Sequence, residues 1–250
     1  MKKLGIALLV ILVLIGAGVF YLLSNLNSIV KTAIETYGSK ATQASVHLDK
    51  VDLKLKEGEG TLEGLHVGNP AGFTTPEAFD LGAISIKLDT NSVTGSGPIV
   101  IREIAINGPT VVYEHTQSGS NLQTLQKNVT SYAGASKSAA PAQPASETPG
   151  GKERKVIIDE LTIRDGQIAI TDSMLPGATL QAKLPAIHLQ DIGKAKGGAT
   201  PAEIADAVMG ALTAAASQVA SAEIQKQLTG LATEKAKGAL GDKLKGLFGD

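Results

Sequence analysis

The chain has 250 residues, a formal net charge of -1 and no cysteine. A near-neutral chain with no clustered Lys/Arg surface cannot neutralise phosphates, which excludes a nucleic-acid binder; the missing thiols exclude disulfides, thiolate metal sites, a cysteine nucleophile and lipoprotein acylation. Hydrophobic residues reach 43%, but much of that lies in the N-terminal stretch and an alanine-rich tail, and with 3% aromatics and no Trp the middle can fill only a thin aliphatic core.

Lys2 and Lys3 precede an uncharged, mostly apolar run over residues 4–23. As a helix this run is about 30 Å long, enough to cross a bilayer core. It lacks the A-x-A-like end of a cleaved signal peptide. Residues 1–23 therefore predict a signal anchor, with the two lysines cytoplasmic and the rest beyond the membrane. That places a single-pass protein in a bacterial inner membrane, its bulk in the periplasm. Residues 24–40 predict a juxtamembrane helix, because Ile29, Ala33, Ile34 and Tyr37 recur at helical spacing and Gly38 offers a stop.

A pattern of two period-2 apolar pairs, offset by one residue, then occurs three times: Val46-x-Leu48-x-x-Val51-x-Leu53, Ile99-x-Ile101-x-x-Ile104-x-Ile106 and Val156-x-Ile158-x-x-Leu161-x-Ile163. Period 2 means a strand with one buried face, and the offset calls for an extra residue, a β-bulge. Asn107-Gly108-Pro109 and Asp165-Gly166 follow the second and third copies and lead to short apolar runs at 111–113 and 168–170, so each unit reads as a bulged strand plus a return strand. Residues 41–130 and 153–198 form the two parts of one sheet. Ser120-Asn121-Leu122 opens a short helix, and the Ala-, Ser- and Pro-rich residues 131–152 predict a flexible linker between the parts.

The tail, 199–250, is helical. Thr200-Pro201-x-Glu203 is a capping box with Pro at the first helical position. Ile204, Val208, Leu212, Ala215 and Val219 form one stripe, while Ile224, Leu228 and Leu231 fall on another face, so breaks are expected near Ser221 and between Gly230 and Gly241. The resulting fold class is α+β: an N-terminal transmembrane helix, a twisted, mostly antiparallel, curved sheet forming a short β-groove, and an Ala-rich C-terminal helical tail.

Catalytic patterns are absent. His47, His66, His115 and His188 lie on different strands or loops without a metal-ligand spacing, and a metal would require the fold to bring them together. They read as exposed strand histidines. The Gly58-x-Gly60-x-x-x-Gly64 string has the wrong spacing for a dinucleotide fingerprint. No G-x-S-x-G elbow occurs. Asp49, Asp52, Arg102, Glu103, Asp159 and Glu160 recur around the offset and read as a solvated outer face. No enzyme, cofactor or metal is expected.

These features resemble the N-terminal region of the AsmA-like family, bacterial relatives of the repeating β-groove lipid-transfer proteins. The resemblance rests on the anchor, the helix ending near Gly38, Gly64-Leu65-His66-Val67 running into Asn69-Pro70-Ala71-Gly72-Phe73, the Gly108-Pro109 hairpin and Ser120-Asn121-Leu122. Asn69, Pro70, Gly72 and Phe73 form its most specific turn motif. The resemblance implies a non-enzymatic protein that binds lipid or supports phospholipid transport and envelope homeostasis. Its lipid-facing candidates are Val46, Leu48, Val51, Leu53, Ile99, Ile101, Ile104, Ile106, Val156, Ile158, Leu161 and Ile163. Expected partners are the inner membrane and phospholipid acyl chains. The alternative is a structural protein of the envelope whose groove is plugged by its own tail, and which binds another protein or a second copy through its C-terminal helices.

Overall fold

Each offset in the apolar pattern is a residue left out of the strand ladder. The computed structural model describes residues 25–138, 154–175 and 177–248. Its first copy lies on β1 (Val46–Lys54), paired with β2 (Glu59–Gly68). Pairing passes from Leu48↔Leu65 to Lys50↔Glu63, omitting Asp49 and Gly64. Both strands slip at the same level, so the register is kept and Leu48 and Val51, at odd spacing, are both buried. The second and third copies, β5 (Ile99–Asn107) and β8 (Val156–Arg164), lie side by side and omit Arg102 and Asp159 together. The slip continues into β11 (Ile187–Ile192), which omits Asp191, at a left-handed φ of 53°.

The return strands do not fold back as hairpins. β5 pairs with β4 (Ala83–Leu88) and β8, whereas β6 (Thr110–Thr116) pairs with β3 (Glu77–Asp80), β7 (Gly119–Ser120) and β9 (Gln167–Asp172). β3 and β4 both pair antiparallel with β2. It follows that β5 runs on into β6, and β8 into β9, in the same direction. The turn residues interrupt the strands instead of reversing them because their hydrogen bonds go sideways to the neighbouring chain: Gly108 N–H donates to Arg164 C=O, and Gln167 N–H to Pro109 C=O.

The sheet is mixed, not simply antiparallel. β5 with β8, and β6 with β9, are parallel. Parallel neighbours need a crossover, and α3 (Asn121–Ser138) lies within it. Ser120 and Gln123 cap its start, Gln123 N–H donating to Ser120 Oγ and Ser120 N–H to Gln123 Oε1. The linker expected from residue 131 thus begins as helix, and residues 139–153 lie outside the described residues. β10 (Thr179–Lys183) and β11 complete the far side.

Helix α1 (Leu26–Thr42) runs through Gly38. Gly38 is a point of close approach and not a stop: a Cβ there would stand 3.0 Å from Val46 Cγ1. α1 also closes the edge of β1, whose Val46, Leu48 and Leu53 N–H groups donate to Ser39 Oγ, Glu35 Oε1 and Asn27 Oδ1. An edge satisfied in this way offers no template to another strand.

Helix α4 (Pro201–Phe248) is one unbroken helix of 48 residues. Its capping box forms as expected, with Thr200 N–H donating to Glu203 Oε2 and Glu203 N–H to Thr200 Oγ1. The expected breaks do not occur. Among the residues whose side chains are described, Ile224 is the last buried one and 225–237 are all exposed, so of the second apolar set only Ile224 packs on the body, while Leu228 and Leu231 lie beyond it and impose no break.

The transmembrane expectation is corrected. Among the described residues, no helix is long and apolar enough to cross a membrane, against the expected single-pass inner-membrane protein. Residues 1–24 lie outside the described residues. The short α2 (Thr90–Thr94) connects β4 to β5.

Candidate functional site

Eleven of the twelve apolar candidates belong to one continuous core. Leu48, Val51, Ile106, Ile158, Leu161 and Ile163 are buried, while Val46, Leu53, Ile101, Ile104 and Val156 pack against them partly covered and Ile99 is half-buried. The same core contains Leu122 and Leu125 of α3 and Leu212, Ala216, Ala220 and Ile224 of α4. Helix α4 meets β6, β9, β10 and β11, and lies along α3. The helices are tied together by Thr130 Oγ1 donating to Asp206 Oδ1 at 2.5 Å. Helices α3 and α4 thus cover part of the aliphatic strand face, at β6 and β9 to β11.

The opposite face carries the charges that recur around the offsets. Arg102 pairs with Asp89 at 2.9 Å, Lys87 with Glu103 at 2.7 Å and His188 with Glu160 at 3.1 Å. These pairs are exposed, and surface pairs of this kind contribute little to stability. Arg102 nevertheless holds the Asp89 carboxyl below its usual range, with help from the Asn91 N–H.

The turn motif belongs to a buried polar network. Asn69 Nδ2 donates to the backbone carbonyl of Thr75 at 2.8 Å, holding the 69–76 loop closed. Asn121 Nδ2 donates to Asn69 Oδ1 at 2.7 Å and to Val112 C=O at 2.8 Å, while its Oδ1 accepts from the N–H groups of Glu114 and Leu122. Two segments 52 residues apart are thus joined side chain to side chain. Pro70 is buried, Phe73 is half-buried, and Gly72 takes a φ of 99° that a side chain would strain.

Glu114 lies at the centre of this network and is only 5% exposed. Its carboxylate accepts four bonds of 2.7–2.8 Å, from the N–H and hydroxyl groups of Thr74 and Thr75. Burial pushes the Glu114 carboxyl up, but the donors from Thr75 and Thr74 outweigh it and hold the group below the usual carboxylate range.

Next to it opens a cavity of about 420 Å³, lined in part by Thr74, His115, Thr171, Asp172, Leu175 and Thr179. His115 and Asp172 are register partners on β6 and β9, with Nδ1 2.9 Å from Oδ2. The Asp172 side chain is 1% exposed and its Oδ1 accepts from Met174 N–H. Tyr113 stacks on the imidazole, with ring centroids 6.4 Å apart. A carboxylate-held imidazole can move a proton, but catalysis by attack needs a hydroxyl bonded to it. The neighbouring Thr116 hydroxyl donates to Gly119 C=O instead.

No known family, characterised protein or solved structure matches this chain. The site therefore has to be read from its own chemistry. Sequence reasoning missed the Glu114, His115 and Asp172 cluster because these residues lie up to 58 positions apart and meet only through the parallel β6–β9 register. One available signal was position: Glu114 directly follows the apolar run 111–113 on the same strand, where a buried carboxylate must find donors.

Proposed function

We propose that this chain is a non-enzymatic interaction protein of AsmA-like construction, with part of its groove face covered by its own helices and its partner-binding element in the outer half of α4. One observation carries the reading: α4 supplies Leu212, Ala216, Ala220 and Ile224 to the core that contains Ile158, Leu161, Ile163, Ile168 and Ile170. The strand face thus has an occupant that is part of the chain. Past Ile224 the helix continues to Phe248, about 36 Å at 1.5 Å per residue. There Leu228 and Leu231 are 37% and 43% exposed. A helix gains most of its stability from packing an apolar stripe, and residues 225–237 are all exposed. A groove or helix of a protein partner would provide that packing.

A lipid-binding reading has one observation in its favour. The residues α4 sets into the core include Ala216 and Ala220, both at 0% exposure, and a small-residue plug offers less apolar area than an acyl chain in the same place. Photo-reactive side chains at Leu228, Leu231 and Leu161 of the full chain, activated in the producing cell, separate the two readings. A protein adduct of one defined mass from 228 and 231, lost when Leu228→Glu is added to the 231 probe, with only within-chain crosslinks from 161, supports the interaction reading. Lipid adducts from 161 select lipid binding. Absence of adducts from all three positions defeats both.

A further inference from the structure

Neither the outer half of α4 nor the charged sheet face accounts for the cavity beside Glu114. It opens at the C-terminal ends of β6 and β9, where the 69–76 loop meets the connection from β9 to β10. Its volume of about 420 Å³ falls within the roughly 300–1,000 Å³ of small-molecule sites. Its wall is hydrogen-bonded in place. Ser173 N–H donates to His115 C=O, Leu175 N–H to Asp172 C=O and Ala178 N–H to Leu175 C=O, so the described part of the connection is held against the strand ends.

Two polar groups in this lining lack partners among the described residues. A neutral imidazole carries one N–H, and in His115 it belongs on Nδ1, 2.9 Å from an Asp172 carboxylate that can only accept. Nε2 is then an acceptor, and no described residue bonds to it. The His115 side chain is 37% exposed and stacks on Tyr113, so the lone pair is both oriented and reachable. The second group is the Thr171 hydroxyl. Thr171 is the register partner of Glu114 and lines the same cavity, and its Oγ1 is buried without a hydrogen bond, a costly state for a hydroxyl.

Charge selects the ligand. The lining holds the carboxylates of Glu114 and Asp172 and, among the described residues, no Lys or Arg. The four donors to Glu114 are neutral, so they stabilise its charge without cancelling it. Even a protonated His115 leaves two carboxylates against one cation, and anionic ligands are repelled. No three described His, Asp or Glu groups are placed to hold a metal ion, so the cation that fits is one that donates hydrogen bonds. We propose that this cavity binds a small primary ammonium compound, its N–H groups donating to His115 Nε2 and Thr171 Oγ1 in the field of Glu114 and Asp172. Leu175 and Ala178 in the wall offer contact to the short carbon chain that carries the ammonium.

The test is titration of the full chain with n-butylammonium chloride at neutral pH, read by calorimetry and by the 15N shifts of histidine side chains. The expected result is one molecule per chain at millimolar or tighter affinity, with the change in shift confined to His115. Butanol and butyrate keep the carbon chain but remove or reverse the charge, and should bind at least roughly tenfold more weakly. His115→Phe keeps a ring and removes the acceptor, while Thr171→Val keeps the shape and removes the hydroxyl. Each weakens binding at least roughly fivefold, and His188→Gln leaves it unchanged. Thr171→Val deletes an unpaired group and so keeps the fold; where His115→Phe loses its circular dichroism, the wild-type His115 shift decides. No uptake at tens of millimolar, equal uptake of butanol or butyrate, unchanged affinity in the folded variants, or a shift at another histidine instead overturns the proposal and leaves the cavity to water.

Discussion

At the scale of single residues, the informative group is Glu114, a buried carboxylate held by neutral donors. Its folded-state pKa is depressed from 4.5, so its contribution to stability is fully present above that value and is lost as pH falls through the lower folded-state value. Glu114→Gln turns one acceptor oxygen into an NH2 group facing threonine donors, at a cost of about 2–3 kcal/mol at neutral pH. The variant should also lose part of the stability decline that the wild type shows on acidification below 4.5. Denaturant melts of both proteins from pH 7 to pH 3 measure the two effects together, and parallel curves would remove Glu114 from the account. Asn121 makes a sharper case, because its amide serves four partners in three segments. Asn121→Ala removes the partner of Asn69 Oδ1 and of three backbone groups, and should destabilise by about 2–4 kcal/mol. Asn121→Asp, which keeps the acceptor and loses the donor, should be no better, since it sets a second carboxylate near Glu114.

At the scale of elements, the chain's periodicity was a good guide wherever one residue pattern answered to one neighbour. The three offset copies become β1, β5 and β8, with the slips at Asp49, Arg102 and Asp159, because alternation is fixed by which face is buried. The capping boxes at Ser120 and Thr200 mark helix starts for an equally local reason. What could not be read locally was the partner of each strand. Gly108-Pro109 has the composition of a hairpin turn, but its backbone groups bond to Arg164 and Gln167, and only the distant third copy decides that. The Glu114 cluster was hidden by the same non-local pairing. The length of α4 was misread for a different reason: an apolar stripe that changes face implies a break only if both faces pack on one surface. Hydrogen exchange checks this directly. Amides of residues 205–224 should exchange with the protection of the sheet, and those of 226–248 within the range of a free helix. Gly230→Ala, in open space, should slow exchange in that outer stretch by up to about fivefold, from roughly 1 kcal/mol of helix propensity, without moving the melting temperature of the body.

At the scale of the whole molecule, the inner half of α4 acts as a layer of the fold and the outer half as an appendage, and truncation separates the two. Ending the chain after Lys226 removes only exposed positions among the residues whose side chains are described. Such a protein should melt within a few degrees of the full chain and bind no more of a hydrophobic dye. Ending it after Ala199 takes Leu212, Ala216, Ala220 and Ile224 out of the core. Two of these are large aliphatic side chains, each contributing about 1.5–3 kcal/mol of burial, and their loss also uncovers strand residues such as Ile168 and Ile170, now 1% exposed. A domain with a typical margin of 5–15 kcal/mol cannot lose both contributions and keep the same cooperative transition. An uncovered row of isoleucines on a sheet is besides a surface that associates. The shorter protein should therefore bind dye strongly, aggregate, or melt early and broadly. If it instead melts sharply and stays monomeric, the sheet is self-sufficient, α4 is a removable lid, and the aliphatic face becomes available to an acyl chain.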